Sequence, residues 1–295
     1  MKSRLLVFAS VAAVIAAASA TAAQAATPRY YLALGDSLSV GFQPNGHVGH
    51  ETKQGYANDL YAHYKGQVKG LQLLQMGCPG ETTGSMISGS GNAFYAQAFN
   101  CKVPHGSQLK DAVAFLKAHH KAGEVPLLTV DIGANDVDGC VHGTATQATE
   151  CALAGVTQIK LDTPKILAAL KQAAPKGTKL VAMNLYDPVL GYGIDPASAV
   201  YSLVPVSVSL VKAINTAIAA ADAEAGFKTV DAAAAFDTYD TTPVTYDGQP
   251  VQANIAKICT LTWMCAASPL GPNIHANAKG YAVLATAFEN VIGKL

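Results

Sequence analysis

Short apolar segments alternate along the chain with segments of helical periodicity, and this alternation limits the possible folds more than any other feature. Between the apolar segments, apolar residues recur every three or four positions, as they do on one face of a helix. Such an order predicts a parallel sheet with right-handed helical crossovers. The predicted strands cover residues 29–34, 71–76, 125–132, 179–185 and 227–230.

The predicted helices would cover both faces of this sheet. Thr163 followed by Pro164 is a favourable pair for an N-cap and a first helical residue, so one helix is predicted to begin there. Residues 232–272 break the alternation and are predicted to form a long loop insertion. We therefore predict one three-layer α/β/α domain over residues 26–295, with about five parallel strands. The other predicted helices lie at about 55–64, 109–116, 206–225 and 278–291.

Residues 1–25 have the pattern of a secretory signal peptide. Lys2 and Arg4 precede an alanine-rich apolar run, and a small-x-small cleavage motif ends at Ala25. The run is almost long enough for a membrane anchor, but its alanine content and the cleavage motif favour removal. We therefore expect a secreted, extracellular protein without a stable membrane anchor after cleavage.

The charge of the chain is balanced, with 20 Lys plus Arg and 20 Asp plus Glu, and no basic block. A balanced chain offers no electrostatic basis for binding nucleic acid. It also lacks the polybasic patch of a protein that binds anionic membranes. We expect a monomer whose partner is a small-molecule or lipid substrate.

Six cysteines in an exported chain predict disulfide bonds. A zinc site is the alternative, but no two cysteines have the C-x-x-C spacing, so no metal is expected. Sequence alone does not choose among the possible pairings. The simplest hypothesis joins neighbours along the chain, each pair closing a short loop worth on the order of 2–3 kcal/mol. Those pairs are Cys78–Cys101, Cys140–Cys151 and Cys259–Cys265.

Reactive residue types stand where the predicted strands end. Ser37 follows the first strand, a glycine-rich loop with Gly80 follows the second, and Asn135 follows the third. His275 stands ahead of the last predicted helix. Because ligands bind open α/β sheets beyond the carboxyl ends of the strands, we expect these four residues to converge at one edge.

A serine, a histidine and several N–H donors are the groups that ester cleavage requires. A serine hydroxyl is a weak nucleophile until a base removes its proton, and histidine has a suitable pKa. The tetrahedral intermediate carries an oxyanion, and losing one donor to it costs roughly 3–4 kcal/mol. Candidate donors are the Asn135 amide, the unshielded Gly80 N–H, and the Ser37 N–H, which we expect at the start of a helix.

The segments around these residues resemble the conserved blocks of the SGNH (GDSL) hydrolases. The sequence GDSLS at residues 35–39 is similar to the first block, residues 77–83 to the second, and residues 133–136 to the third. His275 corresponds to the histidine of the last block. The resemblance covers nearly the whole mature chain, in order, and implies a flavodoxin-like SGNH hydrolase fold.

The resemblance also implies roles for individual residues. Ser37 would be the nucleophile and His275 the base, while Ser37, Gly80 and Asn135 would form the oxyanion hole. The cysteines are similar to those of secreted bacterial esterases and lipases of this family, which implies three disulfides between sequence neighbours. No cofactor and no metal is implied.

One position departs from the family pattern. The family has an Asp three residues before its histidine, and here that position is Pro272. Some secreted members are similar in lacking this Asp and orient the imidazole with a backbone carbonyl, which implies that role for Pro272. A remote carboxylate such as Asp247 is the alternative.

The predicted activity is that of a secreted serine carboxylesterase or lipase that forms an acyl-enzyme on Ser37. A carbohydrate acetyl esterase and a non-catalytic secreted binding protein on the same fold are the alternatives. The α/β-hydrolase fold is disfavoured because no G-x-S-x-G pentapeptide occurs. An acyl pocket could use Tyr192, Trp263 and Met264, although these residues could equally belong to the core.

Overall fold

The computed structural model of the protein describes residues 28–46, 48–89, 97–99, 101–141 and 144–295. The predicted signal peptide, residues 1–25, lies outside these residues. In chain order the strands are β1 (Arg29–Gly35), β2 (Gln43–Asn45), β3 (Val48–His50), β4 (Leu71–Gln75), β5 (Leu127–Asp131), β6 (Lys179–Met183), β7 (Lys228–Val230), β8 (Pro243–Tyr246) and β9 (Gln249–Gln252).

A central parallel sheet has the strand order β4-β1-β5-β6-β7 in the described residues, so the predicted five-stranded sheet is confirmed. All five residues of β5 are buried, which explains the continuous apolar character of that segment. Gly35, the last residue of β1, lies opposite Asp131, the last residue of β5. The carboxyl ends of these two strands therefore meet at one edge of the sheet.

The helices cover both faces of the sheet. Alternate residues of β1 contribute to two separate cores, with Tyr31 and Ala33 in one and Leu32 and Leu34 in the other. The helices are α1 (Tyr56–Tyr64), α2 (Thr83–Ser88), α3 (Gln108–Ala118), α4 (Ala145–Ala173), α5 (Val204–Ala225), α6 (Ala232–Ala235), α7 (Ala253–Leu261) and α8 (Ala278–Ile292). Helices α1 and α8 pack together on the first face, while α3, α4 and α5 pack side by side on the second. The three-layer α/β/α architecture is thus confirmed.

Helix α4 begins earlier than predicted. Thr144, not Thr163, is its N-cap, and the Thr144 side chain and Gln147 form a capping box. Pro164 lies inside the helix, where it costs about 3 kcal/mol by removing one hydrogen bond. Ile159 and Ile166 are fully buried on either side of Pro164, and their burial offsets that cost.

Residues 232–272 contain regular structure where a long loop is predicted. Strands β8 and β9 form a hairpin, and its turn places Asp247 and Gly248 at φ values of +49° and +77°. An Asp-Gly pair with positive φ at both residues is a strong hairpin signal, and the composition of the segment obscured it. Helix α7 follows the hairpin and buries Ile255 and Ile258.

Three disulfides join the sequence-neighbour cysteines, as predicted. Their Cα–Cα distances are 5.7 Å for Cys78–Cys101, 5.4 Å for Cys140–Cys151 and 4.9 Å for Cys259–Cys265. The first anchors the loop that follows β4. The second ties a 3₁₀ helix, Asp138–Val141, to α4, and the third closes the turn that follows α7.

Candidate active site

Ser37 lies just beyond the carboxyl end of β1. This strand ends at Gly35, whose φ of +132° is one that L side chains rarely adopt. A Cβ at this position would lie 2.0 Å from the carbonyl oxygen of Asp131. The buried Gln108 side chain accepts from the Gly35 N–H at 2.7 Å and donates to the Gly35 carbonyl at 2.9 Å. Gln108 therefore fixes both the N–H and the carbonyl of Gly35, two residues before Ser37.

The side chain of His275 contacts that serine. The Ser37 hydroxyl lies 2.8 Å from His275 Nε2, and Nδ1 of the same ring lies 2.7 Å from Asn273 Oδ1. Because an amide oxygen only accepts hydrogen bonds, Nδ1 carries the proton and Nε2 accepts from the hydroxyl. Burial lowers the pKa of His275 to about 4, so the imidazole is neutral above that pH.

The side chain of Asn273 has the role that was predicted for the backbone carbonyl of Pro272. Its Oδ1 also accepts the backbone N–H of His275 at 3.1 Å, in an Asx turn. The prediction for Pro272 is therefore corrected, since Pro272 is exposed and the ring donates to Asn273 instead. Asp247, the alternative, is exposed at the tip of the β8–β9 hairpin and makes no hydrogen bond to His275.

Aromatic and amide side chains hold the histidine loop in place. The His275 carbonyl accepts from the Trp263 backbone N–H at 3.0 Å, and the Trp263 ring donates to Gln43 Oε1 at 2.7 Å. Tyr186 donates from its hydroxyl to the carbonyl of Ile274 at 2.8 Å. The ring of Phe42 packs on the imidazole with 4.5 Å between centroids. These contacts restrict the orientation of the ring and shield it from water.

Asn135 lies in the cavity that contains Ser37 and His275. Its amide donates to the carbonyl of Glu81 at 3.0 Å, which leaves its second N–H for another acceptor. The neighbouring Asp136 accepts from the backbone N–H of Thr83 at 2.9 Å and from its hydroxyl at 2.7 Å. The loops after β4 and β5 are therefore tied together beside the serine.

The backbone N–H groups of Ser37 and Gly80 have no acceptor in the described part of the chain. Ser37 begins a turn, residues 37–41, rather than the predicted helix, and its N–H makes no hydrogen bond there. The Gly80 N–H is likewise unpaired, and Gly80 has a φ of +76° in the turn after β4. Gly80 does not line the cavity at Ser37. The oxyanion role of these groups stays a prediction.

The family follows from the sequence match. A profile of the GDSL-like lipase/acylhydrolase family matches residues 33–283, a span that includes Ser37 and His275. The chain belongs to this family. No curated protein is a match to this chain.

Solved structures of a lipase and of a phospholipase share its fold. An extracellular lipase from Streptomyces rimosus has a TM-score of 0.57 at 16% identity, over 89% of this chain and 99% of that chain. Phospholipase A1 from Streptomyces albidoflavus NA297 also has a TM-score of 0.57, at 15% identity, over 90% of this chain and 100% of that chain. At such identities the likeness demonstrates a common fold.

A buried pair of carboxyl groups lies beneath the serine of this GDSL-family chain. Asp36 and Asp131 are 2% and 1% exposed, and the Tyr56 hydroxyl donates to Asp131 Oδ1 at 2.5 Å. The Leu38 N–H donates to Asp36 Oδ1 at 2.9 Å. Burial raises the pKa of Asp36 to about 6, and burial and the charge of Asp36 raise the pKa of Asp131 well above its ordinary value. The two carboxyl groups therefore hold a proton to a higher pH than two separate, exposed carboxyl groups would.

An apolar cavity of about 110 Å³ adjoins the site. It lies between α4, α5 and a 3₁₀ helix, Pro188–Ile194. Its walls include Ala152 and Leu210, and it shares five wall residues with the cavity at Ser37. The shared residues are Ala134, Leu185, Tyr186, Pro188 and Ile274. An apolar group attached to a carbonyl at Ser37 would thus enter a preformed apolar space.

The residues named earlier for an acyl pocket lie elsewhere. Trp263 donates to Gln43 beneath the histidine loop, Met264 is 5% exposed in the first core, and Tyr192 packs against that core. None of the three lines the apolar cavity beside the serine. Aromatic and sulfur-containing side chains occur both in pocket walls and in cores. The residue types alone therefore did not predict where these three residues lie.

Proposed function

We propose that this ester-hydrolysing enzyme is a secreted serine carboxylesterase or lipase that cleaves esters of apolar acyl groups. The observation that carries the proposal is the 2.8 Å contact between the Ser37 hydroxyl and His275 Nε2 beside an apolar cavity. The similar extracellular lipase and phospholipase A1 support the same class of substrate.

Acyl transfer would proceed in two steps. Ser37 Oγ attacks the ester carbonyl while His275 Nε2 takes the hydroxyl proton, and the resulting imidazolium then gives that proton to the leaving alcohol. Water next attacks the acyl-enzyme, with His275 again acting as base, and releases the acid. Throughout, Asn273 Oδ1 accepts from Nδ1–H, so the ring keeps one tautomer and one orientation.

Charge that develops on the carbonyl oxygen needs donors that are in place before the reaction. The second N–H of the Asn135 amide and the unpaired N–H groups of Ser37 and Gly80 would supply them. Losing one such donor costs roughly 3–4 kcal/mol of transition-state stabilisation. An oxyanion hole of this kind acts on kcat more than on substrate binding.

The volume of the cavity limits the length of the acyl chain that it can hold. A cavity of about 150 Å³ holds the six carbons of benzene, so 110 Å³ accommodates on the order of four carbons. Longer chains would extend through the opening toward solvent. This favours short and medium acyl groups over acetyl alone, and it supports a carboxylesterase or lipase over an acetyl esterase of carbohydrates.

Secretion is part of the proposal. Three disulfides are typical of proteins that fold in an oxidising compartment, and residues 1–25 have the pattern of a signal peptide. We propose that residues 26–295 form a single monomeric domain.

A fluorophosphonate probe and a substrate series test the function. The wild-type protein should be labelled and Ser37→Ala should not, while Ser39→Ala, whose hydroxyl donates to the Asp36 carbonyl, is the matched control and should be labelled. Hydrolysis of p-nitrophenyl esters should be fastest near four to six carbons. Absence of labelling would indicate a binding protein on this fold. Faster release of acetate from acetylated xylan would indicate a carbohydrate esterase.

A further inference from the structure

Helix α5 is unusually apolar for a helix at the surface. Among the described residues, the stretch Tyr201–Ala225 is long and apolar enough to cross a bilayer, and an 18-residue window within it has a mean hydropathy of 1.6. Only 28% of the residues in that window are buried. The helix packs on α4 and contributes Ile214 and Ile218 to the interior of the domain. Its remaining apolar residues are therefore partly available to something outside the domain.

Exposed apolar side chains concentrate at the cavity. Five large hydrophobic residues are exposed in the described part of the chain, and one of them, Val206, is a wall residue of the cavity. Leu153 lies one helical turn after the wall residue Thr149, and Tyr201 begins the 3₁₀ turn that ends at the wall residue Leu203. Their exposed fractions are 38% for Val206, 54% for Leu153 and 42% for Tyr201.

The segment that contains two of these residues carries no charge. Between Asp195 and Lys212 the sequence has no Asp, Glu, Lys or Arg. Binding to anionic lipid depends on Lys and Arg near the surface, and this segment has none. An apolar and uncharged surface of this kind fits an uncharged or zwitterionic lipid surface.

We propose that Leu153, Tyr201 and Val206, which we name the cavity rim, dock the enzyme on aggregated, uncharged lipid ester. The proposal rests on the proposed ester hydrolase function. Each additional methylene group lowers the partition of a molecule from an apolar phase into water about fourfold. A rim in contact with the aggregate lets the acyl chain enter the cavity without that transfer, so the rim affects aggregated substrate and not dissolved substrate.

Vesicle binding tests the rim without catalysis. Ser37→Ala protein is mixed with phosphatidylcholine vesicles and floated on a density gradient. We expect it to float with the vesicles. Adding Leu153→Ser and Tyr201→Ser, neither of which lines the cavity, should weaken partition by roughly 10-fold. The matched control is Leu161→Ser, since Leu161 is 56% exposed on the same helix as Leu153 but next to no wall residue. It should float as the parent does.

Absence of flotation of the parent would refute the proposed role of the cavity rim, and so would equal flotation of the parent and the rim variant. A gain of more than 10-fold on adding anionic lipid would also overturn it, because the rim has no cationic residue.

Activity separates this inference from the proposed function. On dissolved p-nitrophenyl butyrate the wild-type enzyme and the Leu153→Ser, Tyr201→Ser variant should have equal rates, which also shows that the variant is folded. On an emulsified triester the variant should be roughly 10-fold slower. A protein that floats through its rim but hydrolyses neither ester would support the rim and refute the proposed function. Equal rates of the two proteins on the emulsion would refute the rim alone.

Discussion

Replacing Asn273 by Asp converts a neutral hydrogen-bond partner of His275, the proposed base, into a charged one. In the structure Asn273 Oδ1 lies 2.7 Å from His275 Nδ1, so the new carboxylate charge would stand about 4 Å from the centre of an imidazolium. Two unit charges at about 4 Å attract by about 4 kcal/mol at an effective dielectric constant of about 20. That energy raises a pKa by about 3.

The sign of the effect follows from which form of the ring is active. Burial lowers the pKa of His275 to about 4, and only the neutral ring accepts the serine proton. The acid limb of the kcat/KM profile should therefore lie near pH 4 in the wild-type enzyme. In Asn273→Asp it should lie near pH 7, so that the variant loses most of its activity at pH 5 and regains it at pH 8.

The assay is the pH dependence of kcat/KM on a dissolved p-nitrophenyl ester between pH 3.5 and 9. Asn277→Asp is the matched control. This substitution adds the same charge two residues after His275, at the N-cap of α8 rather than at the imidazole. Its acid limb should move by less than about 0.5. An acid limb in Asn273→Asp that stays within 1 of the wild-type value would show that residue 273 does not contact Nδ1, and would refute the assigned tautomer.

Three other predictions concern the donors, the acid pair and the cavity. Asn135→Ala should lower kcat by roughly 10²–10³ with little change in KM, and steady-state kinetics that show a rise in KM alone would contradict an oxyanion role. Asp131→Asn should change the free energy of unfolding at pH 7 by less than about 1 kcal/mol, because the amide oxygen can still accept from the Tyr56 hydroxyl and the substitution removes a carboxyl group that disfavours the charge of Asp36. Asp36→Ala should cost about 1–3 kcal/mol, because it leaves the Leu38 N–H unpaired, and equal losses in urea denaturation would argue against repulsion within the pair. Leu210→Trp should fill part of the cavity and lower kcat/KM for hexanoate esters at least 10-fold while sparing acetate esters, and a uniform loss across the ester series would mean that the acyl chain lies elsewhere.

The sheet was predictable from sequence because burial on both faces demands continuous apolar strands. The segment around β5 contains Leu127, Leu128 and Val130, all buried, as expected for a strand that is covered on both faces. The same logic placed Ser37 and Asn135 at the carboxyl ends of neighbouring strands. The pattern of apolar strands thus predicted both the sheet and the edge at which the candidate site lies.

Helix boundaries were harder to predict, since local signals competed. Thr163 and Pro164 have the form of a helix start, yet the capping box at Thr144 begins the helix and tertiary packing carries it through the proline. In residues 232–272 the strands of the hairpin are short and largely exposed, so hydrophobic alternation was weak. The Asp247-Gly248 turn was the stronger signal.

The groups that orient the catalytic residues depend on contacts between distant segments. Gln108 holds Gly35 from 73 residues away, and no local pattern marks it. Asn273 is different, because an Asn two residues before a histidine is a known turn former whose side chain can reach the ring. The family pattern has a carboxylate three residues before the histidine, so it does not mark this neutral amide two residues before it.

The double position of Tyr186 has a consequence for how substrate preference can diverge among relatives. Its hydroxyl supports the histidine loop through the Ile274 carbonyl, while its side chain walls the acyl cavity and stacks on Phe236 at 4.3 Å. A substitution of Tyr186 would both reshape the cavity and move His275, the proposed base. Selection for a different acyl chain length in the substrate would therefore act against substitution at this position. Substitutions that change the preferred acyl chain length should accumulate instead in the helices that line the cavity, at positions such as Ala152 and Leu210. Substitutions there would leave Ser37 and His275 undisturbed.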